Sequence, residues 1–387
     1  MATKPARTTT GRAAKAGTAA VHELTQAEAC RIAVEAQLLT ADRPAGLLPM
    51  VRHLTLLQLD ATNHVAPSAD LVAWSRLGSS YRPEQLTRAL ADRELIDLFS
   101  MLRPAEDLAL YQADMRRWAD GTELVGWRKS FRDWMEANAA CRRDILLHLA
   151  TSGPLPAKEI PDSCVVPWKS SGWNDQRNVG QMLDMMERCG DVAVSGRQGW
   201  QRLWDLADRV YPEVEVIPSD EAARRRDQRR LASLGIARAK TPETTVEPGG
   251  VGDAGEPAVV DGVRGTWRVD PVLLERVRDE PLAGRAALLS PLDRLVFDRK
   301  KTDELLDFDY ALEMYKPADQ RMWGYFALPY LFGERLVGKA DLTSDRANGV
   351  LRVNRLHRDV DFTDEMEAGL HEQIDDLARF LGLDVAP

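Results

Sequence analysis

Residues 139–210 carry the pattern that most restricts how this chain can fold. Cys141, Ile145, Leu146 and Leu149 share one face of a helix that stops at Gly153-Pro154. A short segment, 156–161, follows. A second helix begins near Asn178, with Val179, Met182, Leu183 and Met186 at i, i+3, i+4 and i+7, and ends before Gly190. Val192 and Val194 open a strand, Gly196–Gly199 turns the chain, and Trp200–Leu206 returns. Helix, short helix, helix and two-stranded wing is the order of a winged helix, and the helix before the wing is the one placed to enter a groove.

The rest of the chain is read outward from this unit. Residues 1–22 are rich in Ala, Thr and Gly and carry Lys4, Arg7, Arg12 and Lys15 without an acid, so a disordered basic tail is expected. Thr25-Gln26-Ala27-Glu28 has the form of a capping box ahead of Ala29, Ile32, Ala33 and Ala36 at helical spacing. A further helix is predicted over 47–57, then an extended stretch over 58–65. A weaker copy of the helix-and-hairpin unit falls in 219–276. It has a basic helix over 221–240, a loop over 241–257 and a hairpin around Gly262. The loop contains Gly250-Val251-Gly252-Asp253-Ala254-Gly255, which satisfies GxGxxG. No strand is predicted just before it and no helix just after it, so it is not read as a dinucleotide site. From about 286 strands dominate. Phe308, Tyr310, Leu312 and Met314 alternate, and Tyr325–Phe332 and Leu336–Leu342 flank a Gly333-Glu334 turn. A last helix over 364–381 follows Thr363 and stops at Gly382.

Composition narrows the function classes. The 387 residues exceed one small module, and 44% hydrophobic residues suffice to bury a core. Cys30, Cys141, Cys164 and Cys189 form no CxxC pair, which argues against a disulfide scaffold or a thiolate zinc site and fits a reducing compartment. No apolar run spans a bilayer and no secretion signal is visible, so a cytoplasmic, nucleoid-associated location is expected. The net charge of −9 excludes a protein that is basic all over, but not one with a local basic face.

Generic enzyme signatures (HExxH, GxSxG, Walker and EF-hand loops) are missing. The six histidines are not at ligand spacing, so no metal and no cofactor is expected. The informative triplet is Gln58-Leu59-Asp60. On a strand, side chains two apart point to one face, so an amide and a carboxylate would be presented together with Leu59 behind. Asn63 and His64 follow closely as possible supporting groups. On chemistry alone such a triplet is more often the solvent face of a strand than a catalytic pair.

The chain resembles the winged-helix DNA glycosylases of the YcaQ/AlkZ type, which repair interstrand crosslinks. LTQAEACRIAVEAQLL, LLQLDATN…LVAWSRLGS, the unit at 139–210 and LLSPLDRLVFDRKK…FDYALEMYKPADQRMWGYFALPYLFGERLVGKADLTSDR carry the resemblance. It covers nearly everything from residue 23. It implies an α+β fold of three tandem winged-helix units, then a small C-terminal β-barrel and a terminal helix. The expected divisions are 23–136 with the Gln-Leu-Asp motif, 137–212, 213–278 and 279–387. Gln58 and Asp60 match the family's Q-apolar-D motif and are implied to be catalytic. Two departures stand out. Residues 95–111 lack the family's W-x-H-E-A-S-like stretch, and Asp60 stands where azinomycin-resistance members have a second Gln.

The activity so implied is hydrolysis of the N-glycosidic bond of N7-alkylated purines in double-stranded DNA by a monomer. The alternative is a non-catalytic winged-helix transcription regulator. Either needs cations for phosphates. The candidates are Lys169, Arg177, Asn178, Arg197 and Arg202 around the groove-entering helix, Arg224, Arg225 and Arg229 on the basic helix, and Arg299 and Lys300 near the barrel. Trp173 is the candidate stacking residue.

Overall fold

The computed structural model describes residues 20–122, 124, 126–169, 177–242, 247–280 and 283–386. The expected basic tail lies, but for its last residues, outside the described residues, as does Trp173. The fold is mixed α+β, with three sheets among the described residues.

The first sheet has six strands, in the order Leu57–Gln58, Met101–Pro104, Leu95–Leu98, Val192–Gln198, Gln201–Leu206 and Leu155–Pro156. Its two halves are built alike. One half comprises helix Leu47–Leu54, a strand, helices Ser68–Leu77 and Pro83–Ala91, and a hairpin. The other comprises helix Ala139–Ser152, a strand, the 3-10 turn Ala157–Glu159, helix Asn178–Cys189 and a hairpin. In each half the first strand in the chain pairs with the third, which pairs with the second. The halves meet where Asp97 faces Val194.

The same pairing order recurs in the second sheet, where Ile236–Ala237, Val263–Val269 and Glu256–Val260 follow helix Ser219–Leu234. The third sheet is a five-stranded half-barrel, Arg285–Leu288, Leu328–Gly333, Arg335–Asp345, Val350–Arg358 and Asp384–Ala386, packed against helix Asp364–Leu381. The expected turn at Gly333-Glu334 is the first hairpin of this sheet.

Local signals place several elements as expected. The Glu28 N–H donates to Thr25 Oγ1 at 3.1 Å and the Thr25 N–H to Glu28 Oε2 at 2.7 Å, a complete capping box. The last helix is capped by Thr363, whose Oγ1 accepts the Met366 N–H at 3.3 Å.

Other expectations are corrected. The extended stretch 58–65 is strand only to Gln58 and then becomes a loop. The basic helix ends at Leu234, not 240, because Gly235 (φ +67°) breaks it where a Cβ would come within 2.6 Å of the Ile32 carbonyl. Phe308–Met314 is not a strand, despite its alternation. Phe308 and Tyr310 are buried because they stack on each other and, through Tyr310, on Trp323, and the Tyr310 hydroxyl donates to the Ala327 carbonyl at 2.6 Å. His22–Leu24 pairs in parallel with Ala258–Val260, and the helix after it packs on helix Pro271–Asp279.

Two cores explain how distant segments meet. The helices of the first half share a single core with the half-barrel and its helix, in which Met50, Trp74, Phe326, Tyr330 and Leu377 are buried together. The N-terminal helix, the second sheet and residues 287–310 share another. The two are joined by a fully buried ion pair. Arg76 Nη2 donates to Asp293 Oδ1 at 2.9 Å, and Arg76 Nη1 contacts Asp293 Oδ2. Arg76 Nε also donates to the Gln37 carbonyl at 3.0 Å, so one guanidinium ties three segments.

Glu187 gives a test of the seam between the halves of the six-stranded sheet. It lies 2% exposed on helix Asn178–Cys189 and accepts the Phe99 N–H at 2.9 Å. Burial, and next the Asp97 carboxylate, push its carboxyl up to about 8. A carboxyl raised on folding favours the native state while protonated. That contribution is complete below about pH 4.5 and is lost as pH rises through about 8. Glu187→Gln keeps the acceptor without the charge. The expected result is a variant that gains stability over the wild type, on the order of 3 kcal/mol, between pH 5 and 8. Urea midpoints across that range check it, and parallel curves would refute it.

Candidate active site

Asp60 lies two residues past the short strand that ends at Gln58. The Leu59 N–H still donates to the Ser100 carbonyl at 3.0 Å, and the Leu59 side chain packs on the core shared with the half-barrel. The chain then turns, because Asp60 Oδ1 accepts the Thr62 N–H at 2.8 Å. Asp60 is half-buried and faces an open cleft of about 510 Å³ with Thr62, Asn63, His64, Met314, Tyr315 and Tyr325. The structure therefore brings Asp60, Asn63 and His64 together. Gln58 is half-buried but is not part of the cleft wall, because the strand that would have aligned it with Asp60 ends there.

The loop after Asp60 is fastened to the half-barrel. The Ser344 N–H donates to the His64 carbonyl at 3.1 Å and the Ser344 hydroxyl to the Val65 carbonyl at 2.6 Å. His64 Nε2 lies 2.9 Å from Thr343 Oγ1, which accepts from Asn354 Nδ2 at 2.8 Å. The Thr343 O–H is thus placed to donate to the imidazole. Burial, and next the Arg321 charge, push the His64 ring below its ordinary value, so it is neutral at physiological pH. Its ring lies 4.7 Å from that of Tyr325, over which Arg321 sits at 4.9 Å.

A second cavity of about 330 Å³ shares His64 and Tyr325 and adds Arg321, Asp341 and Arg355. Gly324 (φ +124°) is required here, since a Cβ would lie within 2.5 Å of all three carboxyl atoms of Asp341. Arg321 and Arg355 therefore line a cavity that shares two residues with the Asp60 cleft. Arg346 is close too, its Nη2 lying 3.5 Å from the Val65 carbonyl. Sequence reading missed them, together with Tyr315 and Tyr325. The only signal available was the long aromatic and charged stretch 308–346.

The expected DNA-contacting residues divide. Lys169, Arg177, Arg224, Arg225 and Lys300 are exposed, although Arg224 and Arg225 both bind Glu221. The others are engaged within the protein. Asn178 bridges Asp162 and the Trp168 N–H. Arg197 Nη2 donates to the buried Asp97 at 2.6 Å, and Arg202 donates to Asp184 at 2.7 Å while covering Trp204. Arg229 pairs with Asp107, and Arg299 donates to the Pro291 carbonyl at 2.8 Å over the Tyr310 ring. The basic helix is therefore largely an internal fastening: Arg226 and Arg230 also pair, with Asp114 and with Glu247. The cysteines are less scattered than their spacing implied, as Cys141 and Cys164 approach to 2.8 Å between Sγ atoms beside Asp162. Among the described residues, no helix is long and apolar enough to cross a membrane.

The Asp60 cleft opens beside the half-barrel, on a scaffold of repeated helix-and-hairpin units. The profile of the family described as "DNA glycosylase AlkZ-like" matches residues 51–380, and the chain belongs to that family, whose members are hydrolases acting on N-glycosyl bonds. Among solved structures, it is similar to the Streptomyces sahachiroi DNA glycosylase AlkZ, with a TM-score of 0.60 at 15% identity. The match covers 94% of this chain and 99% of that one, and shows that the two share a fold.

Proposed function

We propose that this glycosylase hydrolyses the N-glycosidic bond of N7-alkylated purines in double-stranded DNA, including interstrand crosslinks, and acts as a monomer. On this reading the three groups with the same strand-pairing order are winged-helix units. Alkylation at N7 makes the purine cationic and a good leaving group. As the C1′–N9 bond breaks, its electron pair neutralises the base and the sugar gains oxocarbenium character. Asp60 stabilises that cation and takes the proton of the water whose oxygen bonds to C1′. Asn63 orients the water, and neutral His64, whose Nε2 already accepts from Thr343, adds no positive charge beside the developing cation.

The observation that carries this reading is the openness of the Asp60 cleft. A base tied to the opposite strand cannot be swung into an enclosed pocket. A half-buried carboxylate on an open floor can reach the sugar without that movement. Arg321, Arg346 and Arg355 are placed to meet the flanking phosphates.

The test is release of free N7-methylguanine from a methylated duplex, read as alkali-labile strand cleavage on a gel. Single-turnover release by the wild type is the expected result. Tight duplex binding without base release would favour the regulator instead.

A further inference from the structure

We propose that a cavity away from the Asp60 cleft is a binding site for a phosphomonoester. The cavity has a volume of about 420 Å³, within the range of small-molecule sites, and lies between the second sheet and helix Arg299–Leu306. Its wall includes Lys301 and Trp267, which are 7% and 1% exposed. The Lys301 Nζ has no hydrogen-bond or ion-pair partner among the described residues. Trp267 Nε1 and Arg294 Nε are buried donors with no acceptor there. Buried donors are rarely left unpaired, and here two of them belong to residues of one cavity wall that also carries the Lys301 ammonium.

The chemistry of the wall selects the ligand. The donors demand an acceptor-only group. A phosphomonoester offers three terminal oxygens and a charge near −2 at neutral pH. Cationic side chains outnumber carboxylates around the cavity, although the chain as a whole carries −9. Arg238 adds its guanidinium 3.8 Å from the Trp267 ring centre. Burial pushes the Lys301 ammonium down to about 8, with Asp298 opposing the shift and Arg294 adding to it, and an anion beside it would favour the charged form. Exposed Lys240 and Lys300 mark the mouth, and half-buried Phe297 offers an apolar face to a nucleobase. The ligand could be a free mononucleotide or the phosphorylated end of a DNA strand.

Calorimetric titration of the full chain at constant ionic strength tests the site. Inorganic phosphate and dGMP are each expected to bind once per chain, and deoxyguanosine not at all. Tighter binding of dGMP than of phosphate supports the free mononucleotide. Displacement of dGMP by a 5′-phosphorylated duplex, but not by its unphosphorylated counterpart, supports the strand end. Lys301→Met is expected to weaken binding more than about tenfold through loss of a charge-assisted hydrogen bond. Its urea midpoint should stay level or rise, since an unpaired buried charge has gone. Trp267→Phe, which removes only the indole N–H and part of the ring, should weaken binding as well. No binding of phosphate or dGMP by the wild type at millimolar concentration, or full affinity in Lys301→Met, overturns the proposal. Neither result bears on base excision, which is read separately.

Discussion

Asp60→Asn is expected to lower the single-turnover rate of base release by roughly a thousandfold or more, while changing duplex affinity less than about threefold. The asymmetry follows from what the side chain does in the free protein. Its one hydrogen bond to a described residue is from the Thr62 N–H to Oδ1. Asparagine offers an oxygen in the same place, so the turn and the half-barrel contacts of His64 and Val65 survive. The lost element is the negative charge, which matters when the sugar becomes cationic and little before. Excision kinetics and filter binding on one protein preparation measure both quantities. A parallel loss of binding and rate would assign Asp60 to folding or docking and remove it from the chemistry. Asp60→Ala, which also deletes the turn acceptor, should be no slower in the chemical step but less stable.

Removing one member of the Arg76–Asp293 pair should cost about 4 kcal/mol of stability. Both side chains have no measurable exposure, so neither can recover solvation when its partner is lost. Asp293→Asn leaves the guanidinium with an uncompensated charge between the two cores. It also weakens the acceptor of the Leu295 N–H, now at 3.0 Å from Asp293 Oδ1. Arg76→Met should cost a similar amount, because the Asp293 carboxylate is then the stranded charge. The double variant Arg76→Met/Asp293→Leu should lose less than the two single losses summed, since no unpaired ion remains. Urea midpoints with a shared slope provide the measurement. Additive losses would mean that the pair is not energetically coupled. The Asp60 loop rests on the core held by this joint, so activity at elevated temperature should fall in the single variants in step with stability.

Much of the architecture is legible in the amino-acid order, for a reason visible in particular residues. Thr25 and Glu28 cap a helix through atoms three residues apart, and Thr363 does the same for the last helix. Val179, Met182, Leu183 and Met186 mark a helix because each buries the same face. The hairpin at Gly333 is equally local. The failures share a different cause. Phe308–Met314 alternates like a strand but pairs with none, because Phe308, Tyr310 and Trp323 stack instead. The strand His22–Leu24 joins a sheet whose other strands begin more than two hundred residues later. The site was half legible. The acidic residue stood out as part of a motif, but the aromatic wall and the cations beside it come from segments some 250 residues away.

By itself, the sequence determined the order of helices and hairpins, their caps and their apolar faces, and the acidic residue at the centre of the candidate site. The helices, hairpins and caps depend on neighbours within a few residues, whose geometry is set by helical or strand periodicity, whereas the acidic residue stood out only through the family motif that Gln58-Leu59-Asp60 resembles. Only the tertiary structure decided which arginines remain free for a partner. Arg197, Arg229 and Arg230 look like the exposed Arg177 in a string of letters. Yet they are engaged by Asp97, Asp107 and Glu247, and two of these acids lie a hundred residues or more away. A charge is available or neutralised according to what the fold brings within a few ångströms, and that distance has no counterpart in local sequence spacing.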